Sequence, residues 1–103
     1  MKGILNPPEW IQGTWQSDEG ENNLIVEFTN DNIIYSIKNI FDENFIVEIT
    51  DYLTEDYYEI TVHLFFGFIW HNRYYIPIDG IMLYEWNLST EVNKNRHYLQ
   101  QIN

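Results

Sequence analysis

The chain has 103 residues, 45% of them hydrophobic and 17% aromatic, with no Cys and a formal charge of −11. That is enough apolar material for one core and too little length for two, so a single domain spanning 1–103 is expected. The lack of Cys removes disulfides, thiolate catalysis and Cys-based zinc sites, and the acid excess argues against direct binding to nucleic acid or to an anionic membrane, both of which need Lys and Arg.

The chain opens on Met1 to Leu5, then passes at once to polar residues and prolines, without the apolar run of a signal peptide. No later apolar run approaches the ~18 residues of a membrane span. A soluble, cytoplasmic protein is expected. Next comes Asn6-Pro7-Pro8-Glu9-Trp10-Ile11-Gln12-Gly13-Thr14-Trp15. Asn6 at the N-cap, Pro7 at N1 and Glu9 at N3 make an Asn-x-x-Glu capping box, and Gly13 supplies a left-handed stop. The stretch predicts one helical turn that cannot stand alone and packs, with its two tryptophans, on a β-structure.

From Thr14 onward the pattern has period two. Leu24, Val26 and Phe28 share a face, followed by Ile33, Tyr35 and Ile37, and then by Phe45, Val47 and Ile49 against Glu48 and Thr50. Tyr58, Ile60, Val62 and Leu64 alternate with Glu59, Thr61 and His63; Tyr74, Ile76 and Ile78 form another face; Met82, Tyr84, Trp86 and Leu88 form the last. Breakers separate the runs at 18–22, 30–31, 42–43, 54–56, 71–72, 79–80 and 89–95. Asp79-Gly80 is the strongest hairpin signal. Gly67 predicts a bulge in one long strand from Tyr57 to Trp70, and Pro77 predicts an edge or a bulge in its own strand. The expected fold is all-β: a small antiparallel up-and-down barrel of about eight short strands, with the N-terminal helical turn closing one end.

A helical turn, then Gly13-x-Trp15 on the first strand, then a meander ending near Tyr98-x-Gln100 resembles the lipocalin-like (calycin) group of barrels. The resemblance implies that the turn closes the barrel base, that Trp15 packs beneath it and that a late Arg covers this Trp, for which Arg96 is the one candidate. It also implies a small apolar ligand inside the barrel. Thr50-Asp51-Tyr52 matches a second signature of the group but comes earlier than that signature's place, and is taken as chance.

No residue set announces a chemistry, and no enzyme, cofactor or metal is expected. His63, His71 and His97 lack metal-ligand spacing, no Gly-rich loop cradles phosphate, and the serines lack a nucleophile elbow. Carboxylate pairs such as Asp18-Glu19 and Glu55-Asp56 fall in turn signals, where solvation keeps them ordinary. The charge is uneven: residues 1–72 hold all but three of the acids against Lys2 and Lys38, whereas Asp79, Glu85 and Glu91 balance Arg73, Lys94 and Arg96 in the remainder. Phe65, Phe66, Phe68, Trp70, Tyr74 and Tyr75 cannot all share one face, so some point outward, either as a binding patch or packed under the 89–95 loop or at a dimer contact.

Two functional readings follow. The first is a non-catalytic acidic inhibitor or immunity-type protein. It would neutralise a basic protein partner such as a nuclease through Asp42, Glu43, Glu55, Asp56, Glu59, Phe65, Trp70 and Tyr75, as a monomer or homodimer. The alternative is a carrier of a small apolar ligand lined by Trp15, Phe28, Tyr35, Tyr58, Tyr84 and Trp86.

Overall fold

A computed structural model describes residues 5–17, 24–35 and 46–102, with the side chain of Tyr35 outside the description. Alternation of apolar and polar residues produces eight strands: β1 (Gly13–Ser17), β2 (Ile25–Phe28), β3 (Ile33–Tyr35), β4 (Ile46–Leu53), β5 (Tyr57–Leu64), β6 (Ile69–Tyr75), β7 (Ile81–Leu88) and β8 (Asn95–Ile102). They form one antiparallel sheet in the order β3-β2-β1-β8-β7-β6-β5-β4. Sequential neighbours pair at every step except β3 to β4, and the first strand pairs the last, with Trp15 opposite Gln101 and Ser17 opposite Leu99. This is the cyclic order of an up-and-down meander, curled into a half-barrel that is open between β3 and β4 among the described residues.

The concave face holds the core. Trp15, Val26, Phe28, Tyr58, Ile60, Tyr74, Met82, Tyr84 and Leu99 are all buried, and Trp70, Trp86 and Leu88 pack against them half-buried. Tyr74 lies at the centre, stacked on Tyr84 at 4.6 Å and edge-on to Phe28 at 4.8 Å. A fully buried side-chain amide is built into this face. The fully buried Asn72 donates to the Ile60 and Trp70 carbonyls, and its Oδ1 accepts the Tyr84 hydroxyl at 2.5 Å. Its hydrogen-bonding capacity is thus met inside the sheet, which is what makes its burial tolerable.

Several local expectations are corrected. The N-terminal turn is a 3-10 turn of three residues, Glu9–Ile11, whose cap is Pro8, with no side-chain cap bond. Asn6 is not the cap; its backbone N–H donates to Asp51 Oδ2 at 2.7 Å. Gly13 does not stop the turn in a left-handed cap. Gln12 ends it in extended geometry, and Gly13 begins β1 with φ +123°.

Phe65-Phe66-Gly67-Phe68 is a hairpin turn and not a bulged strand. Gly67 N–H donates to Leu64 O, Leu64 N–H donates to Phe68 O, and Gly67 has φ +81°, the geometry of a three-residue loop with a left-handed glycine. The predicted turn at His71-Asn72 accordingly falls in the middle of β6. A register shift between Ile46 and Glu48 turns Val47 outward, so that Ile46 and Ile49 pack on the core in place of the expected Val47 and Ile49. Phe45 and Ile37 lie outside the described residues.

The Asp79-Gly80 hairpin forms as expected. Both residues have positive φ, and Ile78 and Ile81 exchange backbone hydrogen bonds of 2.9 and 3.0 Å. Because β6 ends at Tyr75 before this turn, Ile76 and Ile78 leave the core face and stand exposed, and Pro77 lies beyond the ladder.

Candidate functional site

The antiparallel order sorts the turns into two ends. At one end lie the 3-10 turn, the β2–β3 turn, the Glu55-Asp56 turn, the Asp79-Gly80 turn and the end of β8. At the other lie the Phe65–Phe68 turn and the 89–94 loop. A strand of eight residues separates them by roughly 25 Å.

The first end is tied together from beneath. Trp15 Nε1 donates to the Ile11 carbonyl at 2.8 Å, fixing the 3-10 turn to β1. Leu5 and Ile11 enter the core, and Asn6 reaches Asp51 on β4. The same Asp51 Oδ2 accepts the Tyr58 hydroxyl at 2.7 Å. Burial and the Asp51 carboxylate together push the Tyr58 hydroxyl far above the ordinary tyrosine range, so it acts only as a fixed donor. The N-terminal segment therefore spans from β1 to β4 across the mouth of the half-barrel.

The convex face carries a ladder of alternating charge that only the strand register reveals. Glu59 stands opposite Arg73, Arg73 opposite Glu85, and Glu85 opposite Arg96, on four successive strands. Arg73 Nε lies 2.8 Å from Glu59, Arg96 Nε lies 2.9 Å from Glu85, and Lys94 and Arg73 approach Glu85 at 3.6 and 3.7 Å. Tyr75 donates to Glu85 at 3.4 Å, and Arg73 sits 5.5 Å over the Tyr57 ring. Burial pushes the Glu85 carboxyl up. The Arg96 hydrogen bond and the charges of Lys94 and Arg96 outweigh it and hold the group below the usual carboxylate range. Arg96 therefore serves Glu85 on the convex face and does not cover Trp15, whose side chain is on the other face of the sheet.

The residues expected to contact a basic partner do not form one patch. Glu55 and Asp56 are exposed at the first end, in a turn closed by Thr54 Oγ1, which accepts from the Asp56 and Tyr57 amides. Phe65, 67% exposed, is at the opposite end beside Phe66. Glu59 and Tyr75 belong to the mid-sheet ladder, and Trp70 packs half-buried against the core. Asp42 and Glu43 lie outside the described residues, as do Asp18 and Glu19.

Of the six residues expected to line a ligand cup five are brought together, and the side chain of the sixth, Tyr35, lies outside the description. Trp15, Phe28, Tyr58 and Tyr84 are at most 2% exposed and pack into the core, with Trp86 beside them donating to His97 Nε2 at 3.2 Å. Side chains so fully covered are in close contact with their neighbours. The remaining histidines, His63 and His71, lie on the convex face of β5 and β6. Among the described residues no three His, Asp or Glu side chains gather as a metal group. Nor is any helix among them long and apolar enough to cross a membrane.

Two features are not legible in the sequence: Ile76 and Ile78 of the first end alternate with Tyr74 yet stand exposed, and the three cations of the second half are taken up by Glu59 and Glu85 on the convex face. The one signal in the sequence was Pro77, which cannot extend a ladder and so displaces its neighbours. No family model matches the chain, and no curated protein or solved structure is significantly similar to it.

Proposed function

We propose that the chain is a non-catalytic acidic binding protein that neutralises a basic protein partner, such as a nuclease or another nucleic-acid enzyme. One observation carries the reading. Arg73, Lys94 and Arg96, three of the five cations in the chain, are taken up by Glu59 and Glu85, while Glu9, Asp31, Glu55, Asp56 and Asp79 stand exposed in turns that hold no Lys or Arg among the described residues. Among the described residues these turn acids have no neighbouring cation to balance them, which favours the approach of a positive macromolecule to this end of the sheet.

In this reading the half-barrel closes into a lipocalin-like barrel, with the segment from Leu5 to Ile11 as its base. The cyclic strand order and the Asn6–Asp51 bond support that closure. The aromatic packing of the concave face favours a filled scaffold over a carrier of apolar ligand. The test is capture of basic proteins from native cell extract at low salt, followed by purification of the captured protein and an assay of its activity. Stoichiometric inhibition by the wild-type chain, lost in Glu55→Lys/Asp56→Lys, is expected. A captured protein whose activity and affinity are the same with both chains overturns the proposal.

A further inference from the structure

We infer that the docking surface for a basic protein is the rim running from the Glu55-Asp56 turn through Ile76 and Ile78 to Asp79 and Ile81. This inference rests on the binding function proposed above and names the face that performs it.

The rim is continuous through backbone hydrogen bonds. Ile76 N–H donates to the Asp56 carbonyl at 3.0 Å, which joins the β4–β5 turn to the 76–78 segment. Ile78 and Ile81 pair across the Asp79-Gly80 turn, and Gln101 N–H donates to Gly80 O at 3.4 Å, adding the end of β8. These turns are hydrogen-bonded on themselves, so the rim is presented with little freedom left to lose on binding.

Its chemistry is that of an interface. Ile76 and Ile78 are 43% and 76% exposed, and Ile81 is 42% exposed. Three neighbouring β-branched side chains held in water contribute little to folding, and sequence alternation alone would have buried the first two with Tyr74. Glu55, Asp56 and Asp79 stand at the two ends of this apolar strip, in a region with no Lys or Arg among the described residues. Apolar anchors with an acidic border match a partner that offers a small apolar patch ringed by Lys and Arg. A second copy of the chain is disfavoured as the occupant, since it would set these carboxylates against themselves. The Phe65–Phe68 turn is the competing apolar tip, and the charged side chains of the loop beside it include Lys94 as well as Glu91.

The experiment is a titration of the 15N-labelled full chain at low salt with three basic proteins in turn: pancreatic ribonuclease, lysozyme and cytochrome c. Amide shifts should concentrate at 55–57 and 76–81 with each. Ile76→Ser/Ile78→Ser should lose at least tenfold in affinity while its own spectrum stays otherwise unchanged, and Phe65→Ser/Phe66→Ser should bind as wild type does. Shifts centred on 65–68 would overturn the rim while leaving the basic-partner reading standing. The absence of shifts with all three proteins would overturn both. Undiminished binding by Ile76→Ser/Ile78→Ser would also overturn the rim, because it would reduce the contact to charge alone.

Discussion

Trp15→Phe and Trp15→Ala together test how the N-terminal segment is held. Trp15 is 1% exposed, with its indole N–H on the Ile11 carbonyl at 2.8 Å. Truncation to Ala removes a large buried aromatic and should cost roughly 3–5 kcal/mol. The Phe variant keeps most of the apolar contact and deletes the donor, leaving a buried carbonyl unpaired at a cost of about 1–3 kcal/mol. A domain of this size shifts by about 4–8 °C per kcal/mol, so the two variants should be separable by thermal melts followed in the far-ultraviolet circular dichroism. Amide exchange adds a local readout. Ile11 and Gln12 N–H groups bond to the Pro8 and Glu9 carbonyls, and their protection should fall in Trp15→Phe while that of β5 amides falls only with global stability. An Ala variant within a few tenths of a kcal/mol of wild type would refute the burial of Trp15. A Phe variant with wild-type stability and exchange would refute the role of the Ile11 bond.

Three further outcomes follow from other parts of the sheet. Gly13→Ala should cost about 1–3 kcal/mol in urea unfolding, because φ +123° strains any L side chain, and the new Cβ would also meet Gln101 Nε2 at 2.9 Å. The added variant Gln101→Ala should relieve only the contact and leave the backbone strain. Tyr84→Phe should cost about 1–3 kcal/mol by leaving Asn72 Oδ1 buried without that donor, and its fold should otherwise be unchanged by circular dichroism. Glu85 has a folded-state pKa below its ordinary value of 4.5, so it contributes stability that is present above that value and lost as pH falls through the folded one. The stability advantage of wild type over Glu85→Gln should therefore narrow as unfolding is measured from about pH 5 downward. It should also shrink with added salt, since Arg96 is largely exposed.

What was legible in the sequence was whatever depends on neighbours along one strand. β5 alternates cleanly over eight residues and its inward set of Tyr58 to Leu64 is buried; in β7 the inward set of Met82 to Leu88 is buried or half-buried, although Glu85 on the other face is buried too. Asp79-Gly80 announces its turn because both positions need positive φ. The β5–β6 hairpin was illegible because its tip is Phe-Phe-Gly-Phe, an apolar run in which only Gly67 carries turn chemistry, while Asn72, a usual breaker, is satisfied within β6 by Tyr84 and two carbonyls. The capping box at Asn6 failed because a 3-10 turn of three residues is set by the tertiary bonds of Trp15 and Asp51, not by its own side chains. The charge ladder needed the register of four strands before Glu59, Arg73, Glu85 and Arg96 could be seen as neighbours. The same step exposed the split of the expected binding set, since Glu55 and Phe65 are close in sequence but sit at opposite ends of one strand.

The most direct test of the acidic-binder account is the ionic-strength dependence of affinity for the captured basic partner, measured by calorimetry with wild type and with Glu55→Lys/Asp56→Lys. The account predicts that wild-type affinity falls steeply between low and physiological salt, and that the reversed variant binds more weakly at low salt with a shallower slope. Equal affinities and equal slopes for the two chains would contradict it.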